Sequence, residues 1–170
     1  RRKPDGQVVV VAGGGINNPA DGGRATNAGF GWIDGLTVGP NEDVYFADAL
    51  DNQIWEVQTD GRLRLIAGNG SQGYSGDGGP AASAELFLDM SGDPVGMAVA
   101  PDSTLYFCDF ANNALRRVGN DGIITTVAGG SATNTADNIS ANQAQLYFPG
   151  ALAITPEGEI YLGDYNGLHE

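Results

Sequence analysis

Three aspartates recur at the end of the same short apolar motif. Asp48, Asp109 and Asp164 each close a five-residue segment whose second residue is tyrosine, at spacings of 61 and 55 residues. A ring of these carboxylates could bind Ca²⁺, because that hard cation takes about six to eight oxygen ligands. Alternatively, each carboxylate accepts hydrogen bonds from the amides of the turn that follows it. Because the aspartate recurs in every repeat, we favour the structural role over the metal site.

A second acidic position lies in a glycine-rich turn. Asp77 stands within Gly-Asp-Gly-Gly, and Asp21 and Asp137 are its counterparts in the other repeats. A carboxylate there could act as a general base, but such a group more often caps backbone amides, here those of a short helical turn expected over 81–86. The chain has a single histidine, His169, and no paired acid, so no catalytic residue is predicted.

Residues 68–73 spell the pattern G-x-G-x-x-G. In a dinucleotide-binding loop this pattern is followed at once by a helix, whose first amides point at the pyrophosphate. Here the glycine-rich segment 74–80, which ends in proline, follows instead. We therefore interpret 68–73 as a crossing in which glycine allows positive φ, and no nucleotide cofactor is predicted.

The remaining reactive and modifiable groups are few. With one cysteine, Cys108, and one histidine, His169, the chain can form neither an internal disulfide nor a cysteine-based zinc site, and a histidine-dependent triad would need a second chain. Cys108 is expected to be a small buried apolar residue. Asn69 and Asn138 begin Asn-x-Ser tripeptides in long loops, and both are glycosylation candidates if the protein passes through a eukaryotic secretory route.

Aromatic residues in loops are candidates for a ligand surface. Trp32 and Tyr74 are the better exposed candidates, and with Asp77 they are the predicted recognition residues. Four further aromatic residues outside the repeated motif are assigned mainly to packing between blades: Trp55, Tyr147, Phe148 and Tyr165.

Composition limits the fold and the partner. The chain combines 27 glycines and 8 prolines with short apolar runs, which predicts many short strands joined by tight turns. The net charge of −13 makes nucleic acid a very poor partner and disfavours an anionic membrane surface. No apolar run approaches the roughly 20 residues needed to cross a bilayer, so no membrane insertion is expected.

The elements that position these residues repeat in register with the aspartate motif. An Asp-Gly turn followed by an apolar run ending in Ala-Gly begins at residues 5, 60 and 121. A second apolar segment precedes the aspartate motif at 35–38, 96–99 and 151–154. Each repeat therefore reads as four strands, a to d, with the aspartate at the end of strand b and a hairpin turn between c and d. Four-stranded antiparallel units recurring along a chain predict a β-propeller, an all-β fold.

The repeats resemble the NHL-repeat family of β-propellers, teneurin-like or bacterial in type. The first repeat keeps 21–23 of the glycine loop, whereas the third keeps only Asp137. The resemblance implies an interaction module, often found in large extracellular or surface proteins, although a minority of such propellers are lyases or hydrolases. It is carried by these segments: 67–68, 73–81, 84–86, 96–99, 105–109, 112–113, 115–118 and 122–129.

Counting strands predicts three blade equivalents. Two complete blades are expected at 16–70 and 71–131, strands c and d of a split blade at 1–15, and a loop with strands a and b of another split blade at 132–170. A ring needs at least about four blades. The chain, which starts at Arg1, is therefore expected to be part of a longer propeller or half of a six-blade ring formed by two copies.

Together these patterns predict a non-catalytic scaffold for a protein or glycan partner, extracellular or on the cell surface. A propeller lyase or hydrolase, with its metal or catalytic residues mostly in missing blades, is the alternative. A structural subunit of an extracellular filament or sheath is the second alternative. No cofactor is predicted apart from Ca²⁺ at the weak aspartate site.

Overall fold

The computed structural model describes residues 6–88, 92–130, 133–136 and 138–170. It contains consecutive antiparallel sheets in which neighbours in sequence are neighbours in space. The first sheet consists of β1 (Ile33–Val38), β2 (Val44–Asp48), β3 (Gln53–Val57) and β4 (Leu63–Ala67). The second consists of β5 (Met97–Val99), β6 (Leu105–Asp109), β7 (Ala114–Val118) and β8 (Ile124–Gly129). The third consists of β9 (Ala151–Ile154), β10 (Ile160–Asp164) and β11 (Gly167–His169).

These sheets are blades of a β-propeller, which confirms the predicted fold class. Strands a to d of the first two repeats lie where the sequence motifs place them, and the aspartate ends strand b in all three sheets. The helical turn expected over 81–86 is a 3₁₀ turn at Ala81–Ser83. Further 3₁₀ turns lie at Ala25–Asn27, Phe110–Asn112 and Ala141–Gln143.

Two segments differ from the strands that the sequence predicts. β11 is a third strand in the last sheet, reached through a two-residue turn because Asp164 Oδ1 accepts the amides of Asn166 and Gly167 at 2.8 and 3.0 Å. Residues 6–15, expected to carry strand d of a split blade, form no strand in the structure; the one bridge position there is Val8. The boundaries of the split blades stay a prediction.

Alternating side chains on each strand fill the space between neighbouring blades. Ala47 and Ile54 of the first sheet and Leu105 and Phe107 of the second belong to one buried cluster. The cluster between the second and third sheets is smaller and contains Cys108, Leu115, Ala128, Leu146 and Leu162. Cys108 is buried, as its alternation with core positions predicted.

The loop that leads into each complete blade also pairs with that blade's outer strand. Before the second sheet, Gly78 N–H donates to Ile124 O at 2.8 Å, and Ile124 N–H donates to Gly79 O at 3.1 Å. Before the first sheet, Gly22 and Gly23 bond to Leu63 in the same way, both at 2.8 Å. Gly22 and Gly78 have φ of +76° and +80°, which explains why glycine recurs at this position.

Candidate functional site

The three repeated aspartates tie loops to blades. Asp48 accepts the amides of Gly31 and Trp32 at 3.0 and 3.1 Å. Asp109 accepts the amide of Phe87 at 2.8 Å. The equivalent bond in the third sheet runs from Tyr147 N–H to Asp164 at 2.9 Å. Each carboxylate thus fixes the end of the incoming loop, which the sequence motif alone did not indicate.

The turn that follows each aspartate contributes differently in each blade. The amide of Asp51 supports Asp48, and Asp164 accepts two turn amides. Asp109 instead binds side chains: Asn112 Nδ2 at 2.9 Å and Arg116 Nη1 at 3.0 Å. The predicted bonds to turn amides are therefore found at the first and third positions, and side chains replace them at the second.

Two asparagines hold the neighbouring loop residue from the preceding blade. Asn52 Oδ1 accepts the amide of Leu88 at 3.1 Å, and Asn113 Oδ1 accepts the amide of Phe148 at 2.7 Å. Both asparagines have left-handed backbone, with φ of +49° and +52°, which asparagine tolerates well. Because Phe87 bonds to Asp109 in its own blade and Leu88 to Asn52 in the previous one, adjacent loop residues join two blades.

Burial and local donors set the charge of these aspartates. Burial raises the pKa of Asp48 and of Asp109 above the ordinary value, although amides and, at Asp109, Arg116 act in the opposite direction. Burial also opposes the charge of Asp164, but the amides of Tyr147 and Asn166 and the neighbouring His169 outweigh it and lower its pKa. Burial raises the pKa of the Cys108 thiol to about 12, which makes this cysteine a poor nucleophile.

Asp77 is not a helix cap. Its Oδ1 accepts a hydrogen bond from Arg116 Nη2 at 2.9 Å, while Pro80 stands at the cap position and no side chain caps the turn. The same Arg116 nitrogen donates to Ser75 O at 2.9 Å, and the guanidinium lies 5.0 Å from the centre of the Tyr74 ring. Arg116 is fully buried, so it needs these partners to offset the loss of water.

The counterparts of Asp77 have other roles or lie elsewhere. Asp21 accepts the amide of Leu65 at 3.0 Å, which supports strand β4 of the first blade. Asp137 lies outside the described residues. Tyr74, which was predicted as a recognition residue, is 42% exposed and bonds to Thr126 through its hydroxyl at 2.9 Å. Tyr74 and Asp77 thus pack on the second blade around Arg116, apart from Trp32.

Trp32 belongs to an exposed aromatic strip, which we define as Trp32, Phe110, Phe148 and Tyr165. The rings of Phe110, Phe148 and Tyr165 contact one another. Phe148 is tilted against Phe110 and Tyr165, with centroids 5.3 and 5.5 Å apart, and Phe110 meets Tyr165 edge to face at 6.4 Å. The Tyr165 hydroxyl donates to Asp93 at 2.8 Å, and the Trp32 ring approaches Gly92, where an added Cβ would lie 3.6 Å away. The segment at 92–93 therefore connects Trp32 to the other three rings.

The exposure of this strip corrects the sequence interpretation. Phe148 and Tyr165 were assigned mainly to packing, but they are 39% and 67% exposed, and Trp32 is 52% exposed. Only Phe110 at its base is buried. Phe148 also has φ of +49°, a region that bulky side chains rarely adopt, and its own amide, which donates to Asn113 Oδ1, holds it there. Strained backbone of this kind is concentrated at binding sites.

The structure does not bring the aspartates into a metal site. Within 6–88, 92–130, 133–136 and 138–170, no three acidic, histidine or cysteine side chains come close enough to hold a metal ion. His169 Nε2 lies 3.2 Å from Asp164 Oδ1, so the single histidine pairs with the third aspartate. The part of the chain that the structure describes also contains no helix long and apolar enough to cross a membrane.

Comparisons with known proteins agree on the fold. No family model matches the chain. It is 28% identical over 178 residues to Protein SUPPRESSOR OF QUENCHING 1, chloroplastic, of Arabidopsis thaliana, which covers 95% of the chain and 16% of that protein. It is 34% identical over 128 residues to Teneurin-1 of Gallus gallus, 69% of the chain and 4% of that protein. The crystal structure of an auxiliary nutrient binding protein from Bacteroides ovatus superposes with a TM-score of 0.58 at 17% identity, covering 86% of this chain and 39% of that one. The chain thus spans a small part of each relative, and the structural likeness shows the propeller fold.

Proposed function

We propose that the chain is a non-catalytic propeller scaffold that uses the aromatic strip to bind a protein or glycan partner. The observation that carries this proposal is the exposure of the contacting rings of Phe148 and Tyr165, with Trp32 also exposed next to the segment 92–93 that Tyr165 bonds to. Tyr and Trp give large contact areas at a small cost in conformational entropy, which is why they are enriched at binding sites.

The base of the strip is rigid. Phe148 N–H is bonded to Asn113, and the amides of Trp32 and Tyr147 are bonded to Asp48 and Asp164. A partner would therefore meet a surface whose backbone is already ordered, and ordering costs on binding would be low. The same bonds occupy the carboxylates, which supports a binding role over catalysis by these aspartates.

Charge supports a partner with basic groups near apolar ones. Asp93 lies beside Tyr165, and the chain carries a net charge of −13. A basic protein segment would be steered towards such a surface, and a cationic side chain could rest on an exposed ring. A glycan would pack on the exposed ring faces and donate hydroxyl hydrogen bonds to the Asp93 carboxylate.

The relatives support an extracellular or cell-surface location. Teneurin-1 resembles the chain over 69% of its length, and the Bacteroides structure is described as a nutrient binding protein. The Arabidopsis relative is a chloroplast protein, so the location is best tested by surface labelling of intact cells. We also propose that further blades, from the same protein or from a second copy, complete the propeller.

The two glycosylation candidates differ in their surroundings. Asn69 accepts the amide of Ser71 at 2.8 Å and donates from Nδ2 to Ser83 O at 3.2 Å, so a glycan on Nδ2 would compete with the second contact. Asn138 is exposed and has a left-handed φ of +58°. If the protein is secreted by a eukaryotic cell, we propose that Asn138 is the preferred site.

The strip is tested by selecting binders and then removing rings. Peptide-display and glycan-array binders selected on the parent protein should lose at least about tenfold in affinity for Trp32→Ala and Tyr165→Ala, because hot-spot aromatic residues contribute at least about 1.4 kcal/mol each. Leu36→Ala is the matched control, since Leu36 is also exposed, at 66%, but lies on β1.

Two results would contradict the proposal. One is binding that is equally strong in the ring variants and the parent. The other is a stoichiometric transition metal in the purified protein, which would favour the propeller enzyme.

A further inference from the structure

The first sheet carries a buried ion pair at the strand ends that lie away from Asp48. Tyr45, Glu56 and Arg64 are register partners on β2, β3 and β4. Glu56 is 1% exposed. Arg64 approaches it through two nitrogens, since Nη2 donates to Oε1 at 3.0 Å and Nε lies 2.6 Å from Oε2. A tyrosine, a carboxylate and a guanidinium thus lie side by side across three strands.

The repeat itself does not require this ion pair. In the second sheet, the same register positions hold Tyr106, Arg117 and Thr125. A buried ion pair recovers only part of the free energy that its charges lose on leaving water, and apolar residues often serve stability as well. Charges that a blade can do without are candidates for a binding role.

The ion pair borders a polar cavity. The cavity has a volume of about 520 Å³ and lies between the first and second sheets, beside the turns that precede β2 and follow β3. Pockets for small ligands are typically about 300–1,000 Å³. Both sheets contribute amide and hydroxyl side chains to its walls: Asn41, Gln58, Ser103 and Asn120. A ligand in this cavity would therefore contact two blades.

Glu56 keeps an acceptor position beside this cavity. Its Oε2 is buried and has no aligned hydrogen bond from any described residue, although Arg64 Nε is close to it. Buried carboxylate oxygens normally accept at least one hydrogen bond. Burial and a hydrogen bond to Glu56 raise the pKa of Tyr45, so its hydroxyl stays protonated. The Arg64 side chain is 54% exposed, so the outer edge of its guanidinium can donate to a ligand.

We propose that this cavity binds a neutral polyhydroxylated ligand, a monosaccharide or a polyol, through Glu56 and Arg64. A carboxylate beside a guanidinium offers an acceptor next to a donor, and two vicinal hydroxyls present the complementary pair. The third charged residue of the cavity is Asp43, whose Oδ1 already accepts the amide of Thr59 at 2.8 Å. The net charge of −13 disfavours an anion, and Arg64 disfavours a cation, so a neutral ligand fits best.

NMR titration of the purified protein with free sugars tests the site. D-glucose, D-galactose, D-mannose and myo-inositol are added one at a time, while the Nε–H signal of Arg64 and the amide signal of Thr59 are followed. We expect saturable shifts of both signals for at least one probe, because both groups lie at the cavity. Methyl glycosides of the sugars that bind then separate two sources. Unchanged affinity indicates the terminal sugar of a glycan, and lost affinity indicates a free sugar.

Removing both charges together should weaken the binding. The double variant Glu56→Gln/Arg64→Met leaves no unpaired buried charge, and it should lose at least about tenfold in affinity because both charged hydrogen-bond partners are gone. The matched control is Asp60→Asn/Arg62→Met, which removes an exposed ion pair outside the cavity and should bind as the parent does.

A smaller change supplies a second test. Tyr45→Phe removes only a hydroxyl beside Glu56 and should reduce the affinity, whereas Tyr106→Phe at the same register of the second sheet should not. The absence of saturable shifts for every sugar, equal affinity in the double variant and the parent, or saturable binding of Ca²⁺ in place of the sugars would overturn the proposal. None of these results depends on the aromatic strip, which lies at the other ends of the strands.

Discussion

The molecule has two interfaces between neighbouring sheets, here called seams. Each contains a loop that ends in a 3₁₀ turn, but the seams differ in whether a strand d packs against that loop. Between the first and second sheets, Ile124 of strand d completes a fully buried cluster. Between the second and third sheets, that position is a cavity of about 410 Å³. Ala81 and Ala141 hold equivalent places, yet the first is buried and the second is exposed. Burial in this fold is therefore set by the neighbouring strand, and the local motif alone does not determine it.

The three sheets also differ in the residue that pairs with the middle of strand b. Trp55, Arg116 and His169 face the third residue of strand b in the first, second and third sheets. Arg116 is 0% exposed and bonds to Asp109 and Asp77, whereas the side chain of His169 is 42% exposed. The buried Nε of Arg116 and Nε1 of Trp55 have no hydrogen-bond partner within the described residues. In a four-stranded sheet, this position of strand c therefore accepts either an aromatic or a charged side chain.

Replacing the cation at this position should give the largest effect. Arg116→Met should lower the free energy of unfolding by about 3–5 kcal/mol, because Asp109 would be left as a buried charge without its cation. His169→Met should cost less than about 1 kcal/mol, since that pair is partly exposed. Urea unfolding measures both. Equal losses would show that the two seams do not differ in this respect.

Truncation of the closing residue should have the next largest effect. Ile124→Ala should cost about 2–5 kcal/mol, because it leaves a cavity in the buried cluster. Val8→Ala, at the same place after the first Asp-Gly turn, should change the stability by less than about 0.5 kcal/mol, since Val8 is exposed. Denaturant unfolding measures both values. A large loss for Val8→Ala would break this comparison.

The smallest expected effect is a difference in how stability depends on pH. It should distinguish the aspartate of the first sheet, Asp48, from that of the third, Asp164. Because the pKa of Asp164 is lowered on folding, its stabilisation is present above the unfolded pKa and is lost as the pH falls through the folded one. The pKa of Asp48 is raised, so its contribution is present at low pH and is lost as the pH rises through the folded pKa. The cost of Asp164→Asn should therefore grow with rising pH, while that of Asp48→Asn should shrink.

Unfolding at a series of pH values between about 3 and 6 measures the two slopes, and the carboxyl carbon shifts in NMR give the two pKa values directly. Each variant is the control for the other. Slopes of the same sign would show that His169 and the loop amides do not distinguish the third sheet from the first.

The sequence predicts the strands well because successive side chains along a strand point to opposite faces of the blade, and because turn-forming residues mark the ends of each strand. The motif that ends in Asp48, Asp109 and Asp164 locates strand b in every sheet. Two partners of Arg116, Ser75 and Asp77, could not be predicted, because they come from a loop about 40 residues away whose path only the fold determines. The signal that was available is an arginine on an inward position of β7.

The aromatic strip was only partly predictable for a related reason. The loop position of Trp32 identifies it, but Phe148 lies shortly before β9 and Tyr165 directly after β10, so both resemble packing residues in the sequence. Their exposure results from the left-handed backbone at Phe148 and the two-residue turn after Asp164. The left-handed backbone at Phe148 is not marked by a glycine in the sequence, so the usual signal was missing there.

The paired anchors of the loops have a mechanical consequence. Since Leu88 is held by one blade and Phe87 by the next, a force that separates the first and second blades must load Asn52 and Asp109 together. The two bonds lie in series along the ring direction, so each carries the full tension and the weaker of them sets the force at which the blades part. A propeller joined in this way transmits a pull on one blade to its neighbours, and it resists stretching as a continuous band would.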